Sequence, residues 1–143
     1  METPADAKAR LLAAGLRPTA ARLLLWEIMQ GQGRALTAGD LLELMHRRRQ
    51  VNKVTVYRNI EQFLRRGLVR RLCLEGRVAY YELASDQHPS HPHFQCTACG
   101  QVECLEPVNM SRFWTELKGP LGNRAEKIEI LVEGICRHCR RLG

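Results

Sequence analysis

Residues 52–83 read NKVTVYRNIEQFLRRGLVRRLCLEGRVAYYEL, and this stretch decides the fold. Asn52 is of the type that caps a helix N-terminus. On a helical wheel Val56, Ile60, Phe63 and Leu64 share one side. Thr55, Arg58 and Gln62 fall opposite, with Lys53 and Asn59 toward the flanks. Gly67 stops the helix. Two β-like segments follow, LVRRLCL and RVAYYEL, joined at Glu75-Gly76, a short hairpin signal. Upstream, residues 4–14 read as a short helix with Leu11 and Leu12 on its apolar side, ending at Gly15. Pro18 opens a second helix, a favoured first-turn position. Its stripe is Ala21, Leu24, Leu25 and Ile28, and it stops at Gly31-Gln32-Gly33. Thr37 with Asp40 three residues on resembles a capping box for a third helix. Leu41, Leu44 and Met45 face inward there, and Arg47-Arg48-Arg49 suits the C-terminal dipole. Three helices, a polar-faced fourth and a β-hairpin make a winged helix over residues 1–84.

Downstream the pattern breaks. SDQHPSHPHF (85–94) is rich in Pro, Ser and His, and residues 85–93 read as a hinge. Residues 94–143 hold short segments around CTACG, a helix expected from Asn109 to Lys118 and the strand-like KIEILVEG. The fold class is therefore α+β: a winged-helix DNA-binding domain, then a small α/β dimerisation domain. The second is so small that metal and a partner subunit are needed to stabilise it.

The charge separates the same two regions. The 143-residue chain carries a formal net charge of +7. Residues 1–84 hold 15 Lys/Arg against 8 Asp/Glu, and residues 85–143 hold 7 against 7. The whole excess sits in the first part, which suits a polyanion there or, more blandly, a solvated basic surface. No apolar run approaches the ~20 residues that cross a bilayer, so no membrane partner is expected. METPADAKAR has no apolar signal core, which makes the cytoplasm the expected compartment.

Three constellations carry chemistry. Cys96 and Cys99, with Cys136 and Cys139, form two CxxC knuckles separated by 36 residues. Two knuckles supply four soft thiolates to a tetrahedral Zn2+, and a closed four-cysteine shell is structural rather than catalytic. The fourth helix presents Lys53, Thr55, Arg58, Asn59 and Gln62, with Tyr57 at the edge. These types contact phosphates and base edges in a major groove. Arg17 and Arg22 before and in helix two, and Arg70, Arg71 and Arg77 on the wing, add cations for phosphate. The third set is His88, His91, His93 and Cys104. His91 and His93 project the same way on an extended segment. A His/His/Cys set can hold a second metal; the alternative is a solvated linker beside a buried cysteine.

The blocks GLRPTAAR (15–22), TVYRNIEQFLRRGLV (55–69), YEL (81–83), HPHFQCTACGQV (91–102) and GICRHC (134–139) resemble the ferric uptake regulator family, in the family's order over nearly the whole chain. The resemblance implies a homodimeric repressor in which metal at a hinge site fixes the DNA-binding domains over a palindromic operator. By position, Tyr57 and Arg58 match recognition-helix residues that meet DNA, and Arg17 a basic residue that reaches the minor groove. Cys96, Cys99, Cys136 and Cys139 match structural zinc ligands, and His91 and His93 match hinge-site histidines. Glu82 of YEL matches a carboxylate that some members use as a ligand.

The departures from the family pattern carry information. Ala35 stands where a sensing histidine precedes the third helix, and Cys104 stands where a carboxylate is expected. Ser111 and Ile128 occupy the positions of a Glu and a His that form a second regulatory site in many members, so that site is expected to be absent. His88 has no firm counterpart and offers a replacement donor. A thiolate softens the site toward Zn2+, whereas iron and peroxide sensing rest on His and carboxylate ligands. The reading leans to the zinc-uptake-regulator branch, with iron, manganese, nickel and peroxide responses as alternatives. A thiol redox switch on Cys104 and Cys73 is a further one. An enzyme is not expected, since there is no HExxH, phosphate loop or nucleophile motif.

Overall fold

The computed structural model describes residues 2–72, 78–85, 89–126 and 128–143. Cys73, the Glu75-Gly76 turn, Arg77 and His88 lie outside the described residues. The chain divides into two compact units, residues 1–88 and 89–143. That division falls inside the Pro- and His-rich stretch.

The first unit starts with α1 (Pro4–Ala13) and α2 (Ala20–Gln32). Thr3 caps α1 and closes a capping box with Asp6. Leu11 is fully buried, but Leu12 is 55% exposed, so only the first of this pair belongs to the apolar face. Pro18 does not open α2. Thr19 is the cap, accepting from the Arg22 N–H, and the helix proper begins two residues past the proline. A two-residue strand, β1 (Leu36–Thr37), precedes α3 (Ala38–His46). The Thr37–Asp40 capping box forms as the spacing predicts, with bonds of 2.9 and 3.0 Å.

Asn52 caps α4 (Lys53–Arg65), its Oδ1 accepting from the Thr55 N–H at 2.8 Å. The wing follows as β2 (Val69–Leu72) and β3 (Tyr80–Leu83). β3 pairs antiparallel with both β2 and β1, giving the sheet order β1-β3-β2. The core gathers Leu11, Leu25, Trp26, Leu41, Val56 and Phe63. Trp26 and Phe63 meet edge to face at 6.2 Å, a favoured aromatic geometry. Burying Val56, Ile60 and Phe63 fixes the rotation of α4, and with it the face left to solvent.

In the second unit β4 (His93–Cys96) is the central strand. It pairs antiparallel with β5 (Val102–Cys104) and parallel with β6 (Leu131–Gly134). The strand expected over KIEILVEG is restricted to its last four residues, the length that β4 can pair. Helix α5 (Ser111–Leu121) starts two residues later than expected and runs three further. Asn109 instead turns the chain before it, accepting from the Ser111 N–H at 3.0 Å. A short 3-10 turn (Gly122–Arg124) leads on, and α6 (Arg137–Leu142) follows β6. Among the described residues of this unit the buried apolar side chains are Pro92, Cys96, Val102 and Cys136, and α5 buries none. Val108, Phe113, Val132 and Ile135 are about half exposed. No described helix is long and apolar enough to cross a membrane.

Candidate metal centres and nucleic-acid interface

The four-cysteine cluster is a product of strand register. β4 ends at Cys96 and β6 at Gly134, and these two residues are parallel partners. Both chains therefore leave the sheet at the same end and turn at once into their knuckles. The Gly100 N–H donates to the Cys96 carbonyl at 2.8 Å, and Gly100 takes φ +75°, a conformation that favours glycine. The Thr97 N–H binds the Gly134 carbonyl at 2.8 Å, tying one knuckle to the other. On the far side Cys136 caps α6.

The four sulfurs lie within 4.8 Å of one another, and Cys99 and Cys136 Sγ are 3.9 Å apart. A tetrahedral zinc with Zn–S of about 2.3 Å requires S···S edges of about 3.8 Å. One edge of the cluster, 3.9 Å, matches that ion, and no other exceeds 4.8 Å. N–H···S bonds orient the donors: Cys136 N–H to Cys96 Sγ at 3.3 Å, and Cys139 N–H to Cys136 Sγ at 3.4 Å. The Cys136 N–H, and after it the Cys99 N–H, hold the Cys96 thiol down at about 6. The side chains of Cys136 and Cys99 push Cys139 up to about 12. Four sulfurs this close resist becoming four thiolates, and a divalent cation supplies the charge that lets all of them ionise.

A second donor set occupies the other end of the same sheet. His93 opens β4 and is the antiparallel partner of Cys104, the last residue of β5. His91, two residues earlier, holds its ring 4.5 Å from that of His93 at a tilt of 43°. Both histidines are buried, and Cys104 is half-buried. The donor atoms of these three residues lie within 4.8 Å of one another. His91 Nδ1 faces the Pro89 carbonyl at 2.8 Å. A proton there leaves the lone pair on Nε2, the usual device for fixing a ligating tautomer. Two imidazoles and a thiolate fit a borderline-soft divalent ion.

Glu82, the carboxylate singled out in YEL, lies on β3 of the first unit and is 4% exposed. Its partner is Arg70, directly across the β2–β3 ladder. Arg70 Nε donates to Glu82 Oε1 at 3.1 Å, and Nη2 approaches the same oxygen at 3.1 Å. Arg70 is therefore engaged with the carboxylate while its side chain stays 22% exposed. Arg71, the next residue along the strand, faces the other way and is exposed.

On α4 the sequence reading needs one more correction. Lys53, Tyr57 and Arg58 are exposed, Thr55 and Gln62 half-buried, and Asn59 is buried at 6%. Asn59 stands one turn from both Val56 and Phe63, so it turns inward with them. Its Oδ1 accepts from Arg22 Nε at 3.2 Å, and Arg22 Nη1 donates to the Arg17 carbonyl at 2.9 Å. Arg22 and Asn59 thus brace the loop of Arg17 against α4. Arg17 itself is exposed. Lys53 Nζ sits 5.6 Å over the Tyr57 ring. Val54, 64% exposed on the same face, is a residue that the sequence reading missed, because it looked for polar types alone.

A basic-faced winged helix, followed by a unit whose sheet carries thiolate and imidazole donors at both ends, is the architecture of a metal-responsive transcription regulator. The ferric uptake regulator family model matches residues 13–131, and the chain belongs to that family. It is 35% identical to the ferric uptake regulation protein of Shigella flexneri over 133 residues, 92% of this chain and 88% of that one. The ferric uptake regulator of Vibrio cholerae superposes with a TM-score of 0.74 at 27% identity, over 90% of this chain and 98% of that one. A zinc uptake regulator solved with zinc and DNA gives 0.62 at 28% identity, over 97% and 93%. Ferric and zinc regulators are thus both among the proteins that this chain resembles.

Proposed function

We propose that this chain is a zinc-responsive repressor that binds a palindromic operator as a homodimer when its hinge metal site is filled. The observation that carries the choice of zinc is Cys104 as the strand partner of His93, with the His91 ring 4.5 Å from that of His93. The sensing set is His91, His93 and Cys104, completed by Glu82 from the first unit or by His88. Cys96, Cys99, Cys136 and Cys139 hold a separate structural zinc. Zinc in the sensing site ties ligands of the hinge, His91 and His93, to Cys104 of the second unit. It shifts the domains toward the DNA-binding arrangement only by its greater affinity for that arrangement.

DNA is read by the exposed face of α4. Tyr57 and Arg58 meet base edges, with Thr55 and Gln62 beside them. Arg17 reaches the minor groove, and Lys53 and Arg71 neutralise phosphates. The homodimer is supported by the half-exposed Val108, Phe113, Val132 and Ile135 on a unit with a very small core of its own.

The test is operator binding against buffered free Zn2+, Fe2+ and Mn2+, for wild type and Cys104→Ser. Zinc should activate the wild type at the lowest free concentration. Cys104→Ser should lose zinc-dependent binding while keeping its dimer and its structural zinc. Identical zinc curves for the two proteins remove Cys104 from the sensor, and stronger activation by Fe2+ moves the reading to an iron regulator.

A further inference from the structure

We infer that Val54 reads thymine: its methyl groups meet the 5-methyl of one thymine in each operator half-site and set the preference for that base. This rests on the assignment of the exposed face of α4 to DNA. Burial of Val56, Asn59, Ile60 and Phe63 fixes how α4 is rotated. Val54, Tyr57, Arg58 and Glu61 are left exposed. The last three follow Val54 by three, four and seven residues, so the four form one continuous stripe. Val54 is 64% exposed, and it is the second residue of α4. The N-terminal residues of a recognition helix are the ones that reach base edges. Among the described residues, the other exposed aliphatic side chains of this unit, Leu12 and Val78, lie outside the stripe. Lys53 Nζ stands beside it, over the Tyr57 ring. Arg65 pairs with Glu61 at 2.6 Å and offsets the negative charge of the stripe.

An apolar side chain on a basic reading face has one base group to meet. The major-groove pattern of the bases is made of donors and acceptors, with the thymine methyl as its apolar member. Contact between that methyl and valine removes both from water, a gain proportional to the apolar area covered. Valine has no hydrogen-bonding atom, so over any other base it covers polar groups without satisfying them. Its branched Cβ also restricts χ1 in a helix, which holds the methyl groups in a fixed direction. The ordinary alternative is a single surface valine, which needs no partner.

Thymine and uracil pair identically with adenine and differ only by that methyl, so deoxyuridine substitution isolates the contact. Full-length protein, saturated in turn with Zn2+, Fe2+ and Mn2+, first selects duplexes from a random pool. Each thymine of one half-site is then replaced singly by deoxyuridine. Wild type should lose about fourfold in affinity at one position, the factor for one buried methyl-sized group. Val54→Ala should bind the thymine and uracil duplexes equally there. It should keep the wild-type salt dependence, since no phosphate contact is removed. Val54 stands in solvent and alanine favours helix more, so this variant should fold. Val54→Thr, with one methyl in place of two, should fall between. A thymine–uracil difference that survives in Val54→Ala overturns the inference, as does a wild type indifferent to uracil at every position. If no duplex is selected with any of the metals, the DNA reading of α4 fails, and this inference falls with it.

Discussion

Replacing Asn59 with Ala removes the acceptor of Arg22 Nε from a buried position, whereas replacing Arg58 with Ala removes a side chain that stands in solvent. The two substitutions should therefore separate stability from recognition. Asn59→Ala should cost about 1.5–3 kcal/mol of stability, the range for a hydrogen bond to a charged group. Thermal unfolding should show it as a lower Tm without DNA. Arg58→Ala should leave Tm nearly unchanged and cost roughly 1–3 kcal/mol of discrimination between operator and mutated operator. An Asn59→Ala protein with wild-type Tm and reduced discrimination would return Asn59 to the reading face. The sequence held enough to place Asn59 correctly: position 59 is three past Val56 and four before Phe63. Its amide is of a type that reads bases, but the spacing puts it against the core. The Arg70–Glu82 contact was not legible, since the register of β2 against β3 depends on a connection whose path the residue types do not fix.

Among the elements, the helices of the first unit were the most legible, because their signals are local. Thr37 with Asp40 and Asn52 before α4 each specify a start within one turn. β1 gave no such signal: two residues are too few for a period, and it exists as a strand only because β3 offers an edge. In the second unit the decisive element is β6. A Cβ on Gly134 would meet Phe94 Cε2 at 3.1 Å, so β6 approaches β4 at a distance only glycine permits without the ring giving way. Gly134→Val should push the strands apart where their ends carry the two knuckles, a clash of a kind that costs about 1–3 kcal/mol. Zinc retention under mild chelation should fall in this variant, although no ligand has been changed. Unaltered retention would mean that the knuckles close independently of the strand register.

At the scale of the whole molecule the two units differ in what holds them. The first buries a continuous set of aromatic and aliphatic side chains. The second, among the described residues, buries Pro92 and Val102 beside two cysteines and two histidines that are themselves candidate ligands. Removing the structural zinc should therefore act on one unit only. In calorimetry the chelated protein should show the first unit's transition near its original temperature, with the second unit's lowered or lost. Cys96→Ser should reproduce that profile and lose the dimer with it. A single transition that moves as one would contradict this. The parallel pairing of β4 with β6 also dictates an order of events. Neighbouring strands are usually joined by tight turns, but this pair must close a loop running from residue 97 to residue 130, and long-range parallel pairing is intrinsically slow. A nascent chain synthesised as far as Leu131 has a complete set of winged-helix elements and one CxxC knuckle, but not its partner. The elements of the first unit are thus all synthesised before the second CxxC pair, and a nascent chain of that length carries Cys96 and Cys99 without Cys136 and Cys139.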